Sequence, residues 1–243
     1  MFRMRAKTVF FDVGNTLFYA SPSRNEIWLE FLATAGFQAH PSILEQALNE
    51  ADAFYEARLY DYHGRMEELW ILYDGIIFRK LGIADKEGSL VKEVNKWFYQ
   101  PKWYRLYPET REALQALKKR GYELGIISNN NDDFLNQLKW LDLSAYFDSI
   151  TYSQEARANK PEPAIFQLAL KRAGCSPHEA VHVGDKYESD VLGARKMGIT
   201  PILVDRDDRH SDADCLRVRD LREVEACATR LKSDGSNLRE VKD

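Results

Sequence analysis

Cysteine is scarce: the 243-residue chain carries three, Cys175, Cys215 and Cys227, none in a CxxC pair. So odd and sparse a set supports neither a disulfide framework nor a zinc site. No apolar run is long enough to span a bilayer. The opening MFRMRAKTVFF is basic and then apolar, as a signal peptide is, but Asp12 interrupts the run too early for one. A basic stripe with interleaved aromatics is also missing, and 34 basic against 38 acidic residues leave a net charge of −4. These absences point away from membrane and nucleic-acid partners and make a cytoplasmic, reducing location the expectation. Internal repeats and low-complexity segments are absent too. What is present, 44% hydrophobic and 30% charged residues, is the composition of a soluble globular chain.

The apolar pattern has two regimes. TVFF, bounded by an Asp-Val-Gly-Asn turn, reads as a buried strand. From about residue 24 the period becomes helical, with Trp28, Phe31, Leu32 and Ala35 closed by Gly36. Leu44, Leu48, Ala51 and Tyr55 form a second stripe, and Leu69, Leu72, Tyr73 and Ile76 a third, closed near Gly82. A fourth helix is expected over 88–99. This block holds four of the five tryptophans and reads as a helical bundle inserted after the first strand.

Beyond it, helices and strands alternate. Residues 109–120, FLNQLKWLDL, PEPAIFQLALKRAG and ESDVLGARKMG read as helices, and YELGIIS, FDSITYS, AVHVG and ITPILVD as strands. Three of the helices end on a basic turn followed by glycine, at Gly121, Gly174 and Gly198. The alternation predicts an α/β fold: a parallel sheet with crossover helices on its faces. The polar end, residues 233–243, is expected to fray.

In such a sheet, ligands bind beyond the carboxyl ends of the strands. There the first strand delivers Asp12, the second Ser128 and Asn129, and a later one GDKYESD with Asp185 and Asp190. Lys160 lies in the loop RANKPEP. Singly these are ordinary residues: an Asp before Gly-Asn is turn chemistry, a strand-end Ser a cap, a Lys before Pro a solvated charge. Their joint order is what selects them.

In that order, DVGNTL, GIISN, NKPEPAIF and HVGDKYESDVLGARKMG resemble the four motifs of the haloacid dehalogenase superfamily of phosphatases and related hydrolases. The match runs from residue 9 to about 204, with the helical insert placed as in the branch whose cap follows the first strand. The resemblance implies a three-layer Rossmann-like core from residues 1–17 and 106–232, with residues 18–105 as the helical cap. It also implies a small phosphorylated substrate, a Mg²⁺ cofactor and a monomer or homodimer. By the same resemblance Asp12 is the nucleophile that takes the phosphoryl group. Ser128, Asn129 and Thr16 bind the phosphoryl oxygens, and Lys160 neutralises them and holds Asp12. The metal falls to Asp12, the Gly14 carbonyl, Asp185 and, directly or through water, Asp190.

Position 14 departs from the pattern. The phosphatases of the family carry a second aspartate there, which protonates the leaving group and activates water. Gly14 keeps the carbonyl and loses the carboxyl, removing a group that typically contributes about 10²–10⁴-fold. Four readings follow: a slow or specialised phosphatase, a phosphonate-cleaving relative, a haloacid dehalogenase, or a binding protein that has lost turnover. The second needs a cap lysine, yet none lies between residues 18 and 79, and Lys80, Lys86, Lys92, Lys96 and Lys102 come later. The third does without metal and usually has Tyr at position 14, against the Asp185–Asp190 pair. The fourth leaves the intact remainder of the site unexplained.

Tyr62 and His63 are candidate acids at a break between cap helices, but the favoured reading of both is as solvent-exposed loop residues. The aromatics Tyr19, Tyr55, Tyr60, Tyr62, Trp97, Trp103 and Tyr104 read as the cap's own core and its seam rather than a stacking surface. Arg24 and Arg58 read as solvated helix charges. Hinges are expected near 18–22 and 101–108, marked by Pro22, Pro101 and Pro108.

Overall fold

The computed structural model describes residues 6–62, 65–85 and 87–233. Strand β1 (Thr8–Phe11) is buried along its whole length, as a β-branched and aromatic run in a doubly covered sheet must be. After the short strand β2 (Phe18–Ala20) the chain enters four helices, α1 (Arg24–Thr34), α2 (Pro41–Arg58), α3 (Met66–Lys80) and α4 (Ser89–Phe98). It returns through β3 (Tyr104–Leu106), which pairs antiparallel with β2 and sets Phe18 opposite Leu106. The two crossings therefore form one hydrogen-bonded ribbon. Phe18 packs with the sheet-side core, not with the helices.

Helices and strands then alternate. They are α5 (Thr110–Lys119), β4 (Glu123–Ser128), α6 (Phe134–Trp140), β5 (Ser149–Tyr152), α7 (Ser153–Ala156), α8 (Pro163–Ala173) and β6 (Ala180–Gly184). A π-helical turn (Tyr187–Leu192) leads into α9 (Gly193–Lys196), β7 (Thr200–Val204), β8 (Leu216–Val218) and α10 (Arg222–Ser233). The six strands β5-β4-β1-β6-β7-β8 make one parallel sheet. The period-2 alternation of β1 divides the core: Val9 and Phe11 face α5, α6 and α10, while Phe10 faces α8 and α9. That is the expected three-layer arrangement. β1 lies between β4 and β6, so the chain departs in opposite directions from it and a crevice opens beyond its end.

The four inserted helices hold a hydrophobic cluster of their own, centred on Trp28, Phe31, Leu48, Tyr73, Ile77 and Phe78. The third stripe runs differently from its expected register. Leu72 is exposed, and Leu69, Tyr73 and Ile77 form the buried face. Ile76 is half-buried at the edge of the cluster. Trp97, Trp103 and Tyr104 pack at the seam, with Trp97 on Trp103 and Tyr104 on Phe18. Tyr19 lies against Tyr107.

Two further elements carry no expectation from the sequence. β8 is three residues long and interrupted by Arg217, and α10 turns Val224, Cys227, Ala228 and Leu231 to the core. The stretch expected as one α-helix after Asp185 begins as a π-helical turn, a rare form that is frequent at functional sites. His63, Lys86 and residues 234–243, and with them the expected frayed end, lie outside the described residues, as does the side chain of Tyr60.

Candidate active site

Asp12 follows the last residue of β1, and its N–H donates to the Val183 carbonyl at 2.8 Å, so the backbone aims it over the sheet edge. Its Oδ1 accepts from Ser128 Oγ at 3.1 Å and from Lys160 Nζ at 2.8 Å. Lys160 is 2% exposed and bridges to Asp190 Oδ1 at 2.5 Å. A buried ammonium persists only where it is paired, and these two carboxylates outweigh the burial, holding Lys160 above the usual lysine range.

The groups around this pair fix its geometry. The Asn129 side chain clamps the Lys160 backbone, accepting from its N–H at 2.6 Å and donating to its carbonyl at 3.1 Å. That amide, expected to bind the phosphoryl group, positions Lys160 through these two bonds and keeps one N–H. Asn130 Nδ2 donates to Ser128 Oγ at 3.1 Å. Thr16 is buried, with Oγ1 at 3.5 Å from Asp185 Oδ1.

Asp190 is the most heavily bonded of the three acids. Its Oδ1 also accepts from His182 Nε2 at 2.9 Å and its Oδ2 from the Lys186 N–H at 3.0 Å. Burial would raise its carboxyl, but Lys160 and His182 overcome this and hold it far below the ordinary value. Burial lowers His182, so the ring is neutral and gives its Nε2 hydrogen to Asp190. Gly184 makes room: a Cβ there would lie 2.3 Å from Asp190 Cγ.

Asp12, Asp185 and Asp190 offer carboxylate oxygens within 4.8 Å of one another. Burial first, then the charges of Asp12 and Asp190, push the Asp185 carboxyl up to about 7. Three acids with one shared ammonium are a donor set short of positive charge, and hard oxygen donors suit a divalent cation. At Gly14 a Cβ would meet nothing within 4 Å.

Over this edge the inserted helices close a cleft of about 1410 Å³. Their wall contributes Arg24, Asp52, Tyr55, Tyr73, Asp74 and Asn95. Arg24 is exposed, as expected, but not unpartnered: it grips Asp52 through two hydrogen bonds, of 2.7 and 2.9 Å, and meets the Tyr73 hydroxyl at 2.8 Å. Arg58 pairs with Asp61 on the surface. Tyr62 lies against Leu59 and Leu69 under the Arg65 guanidinium, away from the cleft lining. Tyr55, by contrast, stacks on Trp70, and both line the cleft. Among the described residues the lysines lining it are Lys160 and Lys186, both from the sheet side. His182, Asn130 and the cap wall have no local sequence signature. Only the apolar strand around His182 hinted that its ring is buried.

The family model for the haloacid dehalogenase-like hydrolases matches residues 6–198, which is most of the chain and includes every residue of this constellation. The chain belongs to the haloacid dehalogenase-like hydrolases. It is similar to a phosphoserine phosphatase of Thermus thermophilus, 31% identical over 243 residues that cover 90% of this chain and 97% of that one. It is also similar to haloacid dehalogenase-like hydrolase domain-containing protein 3 of Danio rerio, 29% identical and covering 85% and 88% of the two chains. Among solved structures, a HAD phosphatase from Thermococcus onnurineus superposes with a TM-score of 0.64 at 27% identity, covering 92% of this chain and 97% of that one. A 2-haloacid dehalogenase from Pseudomonas syringae gives 0.66 at 25% identity, covering 93% and 99%. This member of the family is a hydrolase, and several of its relatives are named as phosphatases. No helix among its described residues is long and apolar enough to cross a membrane.

Proposed function

We propose that the chain is a Mg²⁺-dependent phosphatase that hydrolyses a small phosphate ester through a phosphoryl group carried on Asp12. The observation that carries the reading is the Asp12–Lys160–Asp190 bridge beside Asp185: a buried nucleophile, its countercharge and a cation-deficient acid set at one strand edge. Mg²⁺ would be held by Asp12, Asp185, the Gly14 carbonyl and, directly or through water, Asp190, and supplies charge neutralisation between carboxylate and phosphoryl group. An Asp12 oxygen attacks phosphorus in line, and the ester oxygen leaves as the P–O bond breaks. Ser128 Oγ and Lys160 Nζ donate to the phosphoryl oxygens, Thr16 supports Asp185, and Asn129 keeps the Lys160 loop in register. Water then breaks the acyl-phosphate bond and regenerates the Asp12 carboxylate. With Gly14 in place of an acid, leaving groups of low basicity are favoured.

The cap, residues 18–105, closes over this edge on its β2–β3 ribbon and excludes bulk water. Phosphonate cleavage by a cap lysine draws no support, since the cleft lysines come from the sheet side. The deciding assay is p-nitrophenol release from p-nitrophenyl phosphate with and without Mg²⁺, with 2-haloacids as controls. Ester turnover only with Mg²⁺ is expected. Metal-independent halide release would replace this reading with dehalogenation, and Mg²⁺ binding without turnover would replace it with a binding role.

A further inference from the structure

The cap wall of the cleft contains a carboxyl that the phosphoryl chemistry does not use. Asp74, in the middle of α3, is 7% exposed and lines the cleft. Among the described residues it meets a single hydrogen-bond donor, Asn95 Nδ2, at 2.9 Å from Oδ2. Asn95 lines the cleft beside it and anchors its amide on the Val91 carbonyl of α4 at 3.2 Å. Among the described residues no cation pairs with Asp74. Buried carboxylates are ordinarily paired or fully hydrogen-bonded, so a cleft-lining acid with one neutral donor has bonding capacity left for a ligand.

The nearby cation is not free to receive an anion. Arg24 is held by both oxygens of Asp52, and the Tyr73 hydroxyl closes the triangle by donating to Asp52 at 2.8 Å. Glu56 adds another carboxylate to the same wall and forms no ion pair among the described residues. Lys186, the cleft's other lysine, comes from the sheet side next to Asp185, and its charge acts on Tyr55 and Asp52 of the facing wall as well as on the phosphoryl-end acids. Arg209 also lines the cleft but pairs with Asp207, so among the described residues no cation is paired with Asp74 or Glu56.

We propose that Asp74 and Asn95 form the subsite for the leaving group, and that they select phosphate esters whose leaving group carries hydrogen-bond donors and no negative charge. A hydroxyl or an ammonium supplies the missing donor to Asp74. A carboxylate or second phosphate brings no donor to Asp74 and would be set against Glu56 with no unpaired cation beside it, and such like-charge contact is a standard device for rejecting a ligand. Desolvation holds the Asp74 carboxyl well above the usual aspartate range when the cleft is empty, as expected of an acid lacking a countercharge. The assignment rests on the phosphatase reading for its orientation, with phosphorus at Asp12.

The test separates the two. Dissociation constants of 3-aminopropyl phosphate, glycerol 3-phosphate and 3-phosphoglycerate are measured by calorimetry on the full-length Asp12→Asn chain with Mg²⁺, so that binding is read without turnover. The first two are expected to bind at least ~10-fold more tightly than 3-phosphoglycerate, and the tighter of them identifies the donor as ammonium or hydroxyl. Asp74→Asn in that background should shrink the difference to about threefold or less, whereas Arg58→Ala, on the surface away from the cleft lining, should preserve it. Equal affinities for all three, no binding of any, or a preference unmoved by Asp74→Asn overturns the subsite. The phosphatase reading fails on its own assay, whatever these affinities are.

Discussion

Around Lys160 and Asp190 the sheet-side wall of the cleft is densely hydrogen-bonded, whereas the cap wall leaves Asp74 with one neutral donor. On the sheet side Asp190 accepts three hydrogens, Lys160 bridges two acids, and Asn129 clamps the lysine from behind. Each of those groups is over-determined by its neighbours, as chemistry that needs fixed geometry requires. On the cap side the Arg24–Asp52–Tyr73 triangle is closed, but Asp74 and Glu56 keep capacity for something outside the chain. Rigid reaction machinery faces an unsaturated recognition wall, and the two should respond differently to substitution.

Substitutions on the sheet side should be the most damaging. Asp12→Asn is expected to lower Mg²⁺-dependent ester hydrolysis by at least about 10³-fold, read as steady-state p-nitrophenol release, because the nucleophile itself is lost. Gly184→Ala forces a methyl onto Asp190 and so displaces the anchor of Lys160. A fall in kcat of about 10² with a smaller change in KM is expected, since misplacement by about 1 Å costs that much. A wild-type rate in this variant would show that the Asp190 anchor is not needed.

Gly14→Asp should act in the opposite direction. The space for the side chain exists and the backbone needs no left-handed conformation. Turnover of alkyl phosphates should rise by about 10²-fold, at the low end of a positioned acid–base, and that of aryl phosphates by less. Equal gains on both would mean that another group already supplies the proton.

Metal affinity should depend on pH. The Asp185 carboxyl, pushed up to about 7 by burial and by Asp12 and Asp190, must lose its proton to hold a cation. Mg²⁺ binding followed by calorimetry should weaken as pH falls through that value and release protons there. A pH-independent affinity would place the ion elsewhere.

The smallest effect belongs to the cap wall. Because the Asp74 carboxyl is raised in the folded chain, the native state binds more protons than the unfolded one above the ordinary aspartate range. Stability contributed by neutral Asp74 is therefore lost as pH rises through its folded value. Asp74→Asn should raise the melting temperature by a few degrees at neutral pH and flatten this dependence. It would gain stability at the same position where it loses ligand discrimination.

The contrast between the walls also governs what could be read from the chain. Asp12, Ser128, Lys160, Asp185 and Asp190 sit at strand ends or within short motifs, so local order in the sequence was enough to bring them together. The cap contacts join Arg24 to Asp52 across 28 residues and Asp74 to Asn95 across 21. Those spacings depend on how helices cross, which apolar periodicity leaves open. The register of α3 shows the limit: Leu72 and Ile77 are equally apolar, and packing alone decides which is buried. β8 and α10 escaped because arginines interrupt a three-residue strand and a sparse apolar face at the sheet edge. His182 was invisible for a different reason, since its role comes from Asp190 reaching back across the π-helical turn.

The central claim is that Asp12 carries the phosphoryl group, and that Gly14 leaves its hydrolysis without an acid–base. Acid-quenched protein taken during Mg²⁺-dependent turnover of p-nitrophenyl phosphate, digested and analysed by mass spectrometry, tests this directly. A phosphoryl group on the peptide containing Asp12, accumulating in the wild type and diminished in Gly14→Asp, is the predicted result. Turnover with no phosphoryl group on that peptide at any quench time would contradict it.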